Sequence, residues 1–152
     1  MLLIKRYKKK SFTLIEVLIF VSILILFFIS AISITTYILR NLKVQEHKIL
    51  ATRYAQELLE WLRGKKEEDW DTFISHDGTY CFNESLSRSF PTRGECSNSY
   101  SLANYFKREA TLTLLNTNPP NKQMKINITV KWIESGGQEY SIPINTIFTI
   151  WE

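Results

Sequence analysis

The chain has 152 residues, of which 45% are hydrophobic and 22% are charged, with only five Gly and four Pro. This composition fits one modest folded domain and excludes a disordered, collagen-like or repeat chain. The net charge of +4 is concentrated at one end, because five Lys and Arg lie within residues 1–11 while residues 12–152 carry 14 Lys and Arg against 15 Asp and Glu. A basic nucleic-acid-binding face is therefore not expected, and no nucleic-acid partner is predicted.

The first extended feature is an uncharged apolar stretch. Val17–Leu39 contains 23 residues without a charge, and 18 of them are apolar. A helix of about 20 apolar residues crosses a bilayer core of about 30 Å, so this stretch is a transmembrane candidate. The basic residues of the leader, 1–11, favour its retention in the cytoplasm. We expect a single span of the inner or cytoplasmic membrane, with the N-terminus inside and the chain after Arg40 outside.

A helix is expected to continue beyond the membrane. Residues 12–63 contain no Gly and no Pro, so no residue in this range favours a break. We predict one helix from about Thr13 to Arg63, with a transmembrane half over 12–39 and an amphipathic half over 40–63. The amphipathic half carries an apolar stripe at spacings of three and four, formed by Ala51, Tyr54, Ala55, Leu58 and Leu62.

The sequence Gly64-Lys65-Lys66 predicts the end of this helix. Glycine readily takes the left-handed cap conformation, and cations are favoured at the negative end of the helix dipole. Turn-forming residues dominate the following stretch, so residues 64–108 are interpreted as a loop region. Its acidic residues could provide oxygen ligands for Ca²⁺ but lack EF-hand spacing, so a solvated acidic loop is favoured for Glu67, Glu68, Asp69, Asp71 and Asp77.

The two cysteines, Cys81 and Cys96, both lie in this region, which the predicted topology places outside the cytoplasm. An even pair in an oxidising compartment predicts a disulfide, with two free thiols as the alternative. No metal site is predicted, since His76 is the only nearby histidine and a structural site normally needs four ligands.

The C-terminal part, 109–152, has the pattern of an antiparallel sheet. Alternating apolar and polar residues make Met124–Ile133 the clearest strand, preceded by Ala110–Leu115 and followed by Tyr140–Trp151. Pro143 cannot donate a ladder hydrogen bond, which indicates an edge strand or a bulge. A three-stranded meander needs a cover for its apolar face, and the helical stripe is the available one. The expected fold class is α+β.

Glu16 is an unusual residue, because it places a carboxylate at the start of the apolar segment. An ionisable residue at the border of a membrane span is by default a functional hypothesis. The alternative is that its side chain reaches the lipid headgroups without a partner.

The string Ser11-Phe12-Thr13-Leu14-Ile15-Glu16, with a basic leader before it and an apolar span after it, resembles the class III signal of type IV prepilins. The family usually has Gly where this chain has Ser11. Ser33 stands where major pilins often carry a kinking Pro, which is more similar to minor pilins and pseudopilins. The resemblance implies a pilin-like fold, with the long helix packed on the C-terminal sheet.

The resemblance also implies processing and partners. A prepilin peptidase would cut between Ser11 and Phe12, and Phe12 would be N-methylated. The new amine of one subunit would pair with Glu16 of its neighbour, which would fix the register of helices in a filament, since an unpaired buried charge is costly. The implied partners are other pilin or pseudopilin subunits, the prepilin peptidase and the inner-membrane assembly platform.

Two other readings remain open. A secretory signal peptide would be cut near Ala31-Ile32-Ser33, although the apolar stretch is longer than a typical signal core. A single-pass anchored protein with a binding head would not polymerise. No enzyme activity and no cofactor are predicted, because His47 and His76 lack a spaced nucleophile or metal partner. The aromatic residues are expected mainly in a core rather than in an adhesive patch; they include Trp61, Trp70, Trp132, Trp151, Tyr80, Phe82, Tyr100, Tyr105 and Phe106.

Overall fold

The computed structural model describes residues 13–97, 99–116 and 122–150. It contains one long helix, one short helix and four strands. In chain order they are α1 (Leu14–Glu68), α2 (Trp70–Ile74), β1 (Gly78–Cys81), β2 (Phe106–Asn116), β3 (Gln123–Ile133) and β4 (Glu139–Thr149). The strands form one antiparallel sheet in the order β1-β2-β3-β4. The α+β fold class predicted from the sequence is confirmed.

The chain divides into two compact units, and the division lies within α1. The first unit ends at Lys43 and the second begins at Val44, four residues beyond the predicted boundary at residue 39. The second unit is called the head below. It contains the C-terminal part of α1, α2 and the whole sheet.

The core of the head forms between α1 and one face of the sheet. From the helix, Ala51, Ala55, Leu58 and Leu62 are completely buried, and Tyr54 is partly buried. The sheet contributes alternate residues of β3, which are also fully buried: Met124, Ile126, Ile128, Val130 and Trp132. Burying one Leu or Ile side chain contributes about 1.5–3 kcal/mol, so this contact is a main source of stability. The predicted helical stripe and its role as a cover are confirmed.

The predicted helix end is wrong by about one turn. Instead of stopping before Gly64, α1 continues through it to Glu68. Glycine in a helix costs about 1 kcal/mol relative to alanine, but neighbouring side chains favour continuation. Lys65 donates to Glu68 at 2.5 Å, and its ammonium group lies 5.8 Å from the ring of Trp61. The basic residues therefore still lie in the last turn, where the helix dipole favours them.

The predicted loop region 64–108 is also corrected, because it contains the end of α1, α2, β1 and the start of β2. Asp69 is the N-cap of α2 and accepts hydrogen bonds from the backbone of Asp71 and Thr72. The sheet consequently has four strands rather than three, with β1 paired to β2 through partners such as Tyr80 and Ala110. β1 has only four residues and only one buried side chain, so it leaves almost no periodic signal in the sequence.

The other strands lie close to their predicted positions. β2 begins at Phe106, four residues before the predicted start, and the predicted end of the last strand at Trp151 lies outside the described residues. In the turn between β3 and β4, the backbone of Glu134 donates to the carbonyl of Gln138 at 3.0 Å. Pro143 lies in β4, which is an edge strand with unbroken register, so the edge interpretation is confirmed.

Candidate functional site

The N-terminal part of α1 is an exposed apolar helix. Its most hydrophobic 18-residue window has a mean hydropathy of 3.0 and is 0% buried, and in the described residues α1 is the one helix long and apolar enough to cross a membrane. Large side chains along it are widely exposed, for example Leu14 at 78% and Phe27 at 69%. A continuous apolar surface of this size marks a membrane or protein contact.

Polar side chains within this segment satisfy their hydrogen bonds inside the helix. Each serine and threonine hydroxyl donates to the carbonyl four residues earlier at 2.8–3.0 Å, so these donors are not left unpaired on desolvation. This applies to Ser22, Ser30, Ser33, Thr35 and Thr36. The helix is continuous through Ser33, where major pilins often have a proline that kinks the helix.

Glu16 lies in the first turn of α1. Thr13 occupies the position immediately before the helix, and its carbonyl accepts from the backbone nitrogens of Glu16 at 3.1 Å and Val17 at 3.3 Å. The spacing Thr-x-x-Glu is that of a capping box, and a carboxylate here also interacts favourably with the helix dipole. No ion pair joins Glu16 to a cation of the described part of the chain.

The predicted cleavage site between Ser11 and Phe12, and the predicted N-methylation position at Phe12, lie outside the described residues. Their assignment rests on the sequence string alone.

The predicted disulfide is present. Cys81, at the end of β1, is bonded to Cys96, with a Cα–Cα distance of 4.8 Å. The backbone nitrogen of Cys96 donates to the carboxylate of Glu109 at 2.8 Å, which holds the same segment against β2. The bridge therefore fixes the segment that follows β1 to the sheet.

Arg108 is a buried charge that the sequence interpretation missed. It lies on the inner face of β2 between Phe106 and Ala110, and its side chain is only 1% exposed. Its guanidinium donates to the carbonyls of Phe82 and Tyr54, both at 3.0 Å. Burial lowers the pKa of Arg108, and the carboxylate of Glu57 acts in the opposite direction. The period-two alternation of β2 was the signal that could have placed this arginine inside.

A second polar cluster is centred on Glu134. One carboxylate oxygen lies 2.7 Å from Nδ1 of His47 and accepts from Nε1 of Trp132 at 2.9 Å, and the other accepts from the hydroxyl of Tyr105 at 3.3 Å. Burial raises the pKa of Glu134, but these hydrogen bonds outweigh it and the pKa is lowered overall. His47 is thus engaged in a link between α1 and the turn after β3.

The other histidine, His76, has a local role. Its Nδ1 lies 2.8 Å from the carbonyl of Thr72, and its ring stacks on Phe90 with centroids 3.9 Å apart. In the described ranges, no three His, Cys, Asp or Glu side chains come together as a metal site would require.

Most residues of the predicted acidic loop have specific contacts. Asp77 accepts from the backbone of Leu114 at 3.2 Å, and Asp71 lies 3.4 Å from the ammonium group of Lys122. Hydrogen bonds from Lys65 and Thr72 lower the pKa values of Glu68 and Asp69, respectively. These carboxylates organise local structure around α2.

The aromatic residues mainly build the core, as expected. Four are buried and three more are partly buried against the core; these are Tyr80, Phe82, Phe106 and Trp132, followed by Trp61, Trp70 and Tyr105. Tyr100 is half-buried, donates to Glu139 at 2.9 Å and lies under the ammonium group of Lys107. Trp151 lies outside the described residues.

No protein-family model, curated protein or solved structure matches this chain.

Proposed function

We propose that this protein is a minor pilin or pseudopilin, a non-enzymatic structural subunit of a type IV pilus or a type II secretion pseudopilus. It would enter the filament after cleavage between Ser11 and Phe12. The observation that carries the proposal is Glu16, a carboxylate without a cationic partner in the described chain, in the first turn of an exposed apolar helix. It stands within a string that matches the prepilin signal at every position except Ser11.

Cleavage would create the missing counter-ion. The new amine of Phe12 would be four residues from Glu16, a distance of about 6 Å along a helix at about 1.5 Å per residue. A neighbouring helix displaced along its axis by about one turn could then bring its amine beside this carboxylate. Leaving a buried charge unpaired costs about 3–5 kcal/mol, so the pair would select one register among apolar helices that otherwise slide past each other.

Two features support the topology that we propose. Five basic residues lie within residues 1–11 and favour retention of this end in the cytoplasm, which would put the head outside. Disulfides persist in oxidising compartments, and the bond between Cys81 and Cys96 fits a head exported across the membrane. The protein is therefore proposed to span the inner or cytoplasmic membrane once before it enters an extracytoplasmic filament.

The decisive experiment is intact mass analysis of membrane-extracted protein produced with an active prepilin peptidase. We expect a chain that begins at Phe12 and carries one added methyl group. Production with a catalytically inactive peptidase is the control and should leave residues 1–11 in place. Replacement of Ser11 with Leu should block cleavage, whereas Ser11→Gly should preserve it.

The same measurement separates the competing functions. Loss of the chain up to the region of Ala31-Ile32-Ser33 would identify a secretory signal peptide. Retention of residues 1–11 beside an active peptidase would contradict processing and leave a tethered protein with a non-polymerising head.

A further inference from the structure

The head contains a cavity of about 690 Å³ beside the segment that connects β1 to β2. Small-molecule sites commonly have volumes of about 300–1,000 Å³, so its size is sufficient for a ligand of several rings. All of its lining residues belong to the head, so ligand binding there can be tested without filament assembly.

Hydroxyl groups dominate the lining. Six serines and one threonine contribute, namely Ser85, Ser87, Ser89, Ser97, Ser99, Ser101 and Thr92. Within the part of the chain that the structure describes, the hydroxyls of Ser85, Ser97 and Ser101 have no protein partner. A serine hydroxyl offers one donor and two acceptor positions, so these groups can bind a ligand that both donates and accepts.

The wall of the cavity is held in place by contacts from three directions. Asn83 donates to the carbonyl of Ser99 at 2.9 Å, and its oxygen accepts from the backbone of Arg108 at 2.8 Å. Trp61 of α1 donates to the carbonyl of Ser87 at 2.9 Å, and the disulfide of Cys81 closes the segment. A site held in this way loses less conformational entropy when a ligand binds.

The charged and apolar residues that line the cavity indicate which class of ligand it can bind. Glu84 is the one charged residue that lines the cavity among the described residues, so the site lacks a cation for an anionic ligand. Leu86, Phe90 and Pro91 also line it and are partly exposed, whereas Phe82 belongs to the core and is only 4% exposed. Apolar surface beside exposed hydroxyls suits a ligand with an apolar carbon face and many neutral hydroxyls.

We propose that this cavity binds a neutral saccharide. The serine hydroxyls would exchange hydrogen bonds with the sugar hydroxyls, and the partly exposed surface of Leu86, Phe90 and Pro91 would contact its C–H face. Sugars from a cell wall and sugars from a secreted glycan share this chemistry, and two neutral probes of different linkage distinguish these sources.

The test is nuclear magnetic resonance of the full, isotope-labelled chain in phosphocholine micelles, because maltoside detergents would themselves supply a sugar. Chitotriose and maltotriose are titrated separately to tens of millimolar. We expect saturable shifts of amide signals in residues 81–97 and 99–101 for at least one of them. The double variant Ser97→Ala/Ser101→Ala should weaken binding about tenfold, as the loss of two neutral hydrogen bonds predicts.

Controls make the outcome decisive. Ser141→Ala removes an exposed hydroxyl of β4 that does not line the cavity, and should leave binding unchanged. Unchanged signals elsewhere in each variant show that the head remains folded. The proposal is overturned if neither trisaccharide shifts these signals or if the shifts map outside the segment.

Discussion

Arg108 on β2 and Glu57 on α1 form an ion pair of 3.1 Å in which only one partner is buried. The arginine side chain is 1% exposed, whereas the glutamate is 55% exposed. The desolvated charge is therefore the guanidinium, and the carbonyls of Tyr54 and Phe82 provide most of its remaining hydrogen bonds. The link joins the helix to the sheet at a point where the surrounding core is apolar.

This asymmetry predicts unequal effects of substitution. Arg108→Met should lower the free energy of unfolding by about 3 kcal/mol, because buried carbonyls lose their donors at about 1–3 kcal/mol each. Glu57→Gln should cost about 1 kcal/mol or less, as expected for a largely solvated partner. Urea unfolding followed by near-ultraviolet circular dichroism measures both, with Arg63→Met at an exposed ion pair as the control. Equal costs for the first two variants would contradict the asymmetry.

Local sequence patterns predicted the helices and strands whose hydrophobic pattern is long and regular. The uninterrupted apolar run predicted α1, and the alternation of apolar and polar residues in Met124–Ile133 predicted β3. The short strand β1 and the position of α1's end depend on contacts with distant parts of the chain. Gly64 shows the limit, because the same Gly-Lys-Lys sequence fits a helix cap or a helix that continues.

The substitution Gly64→Ala distinguishes these two conformations, because it should change the free energy of unfolding in opposite directions in the two cases. Gly64 is exposed in the interior of α1, and an added Cβ would meet no atom within 4 Å. Alanine should therefore raise the free energy of unfolding by about 0.5–1 kcal/mol. If Gly64 were a left-handed cap, alanine would lower the free energy of unfolding by a similar amount. Chemical unfolding of the variant beside Gly136→Ala, where φ is +151° and strain is expected, tests both signs.

The cluster around Glu134 predicts a specific dependence on pH. Its folded pKa is lowered by hydrogen bonds from His47 and Trp132, so the stabilisation is fully present above the ordinary glutamate pKa of 4.5. It is lost as the pH falls below that value and through the lower folded pKa. Glu134→Gln should cost about 2 kcal/mol at pH 6, typical of lost hydrogen bonds to a charged group, and much less at pH 3.

Urea unfolding of both proteins across this pH range provides the measurement. Glu95→Gln removes an exposed carboxylate and serves as the matched control. A difference between Glu134→Gln and the native chain that stays constant with pH would show that the carboxylate charge is not what stabilises the cluster.

The locally encoded parts of the candidate site can be predicted from the sequence. Ser11, Phe12 and Glu16 lie in one short string and stay a prediction, whereas the disulfide between Cys81 and Cys96, predicted from the compartment, is confirmed. The contact between His47 and Glu134 spans 87 positions, and no local pattern marks it. The serine-lined cavity likewise forms only when the disulfide and Asn83 fold their segment against the sheet.

The charge of Glu16 can be separated from its capping role by two substitutions. Glu16→Gln removes the charge but retains a side chain that can complete the capping box, whereas Glu16→Ala removes both. If the carboxylate pairs with the Phe12 amine of a neighbour, both variants should be cleaved normally yet enter filaments on the order of 100-fold less than the native subunit, as the loss of a buried pair predicts. Glu46→Gln, an exposed acid in the head part of α1, is the control.

Incorporation is measured by quantitative mass spectrometry of sheared filaments, with the membrane fraction as reference for expression and cleavage. The pattern of the two variants distinguishes the mechanisms. Normal incorporation of Glu16→Gln beside a defect in Glu16→Ala would assign Glu16 to helix capping and contradict the counter-ion role. A shared defect together with normal cleavage requires the negative charge itself, because capping by glutamine remains and the apolar helix is otherwise unchanged.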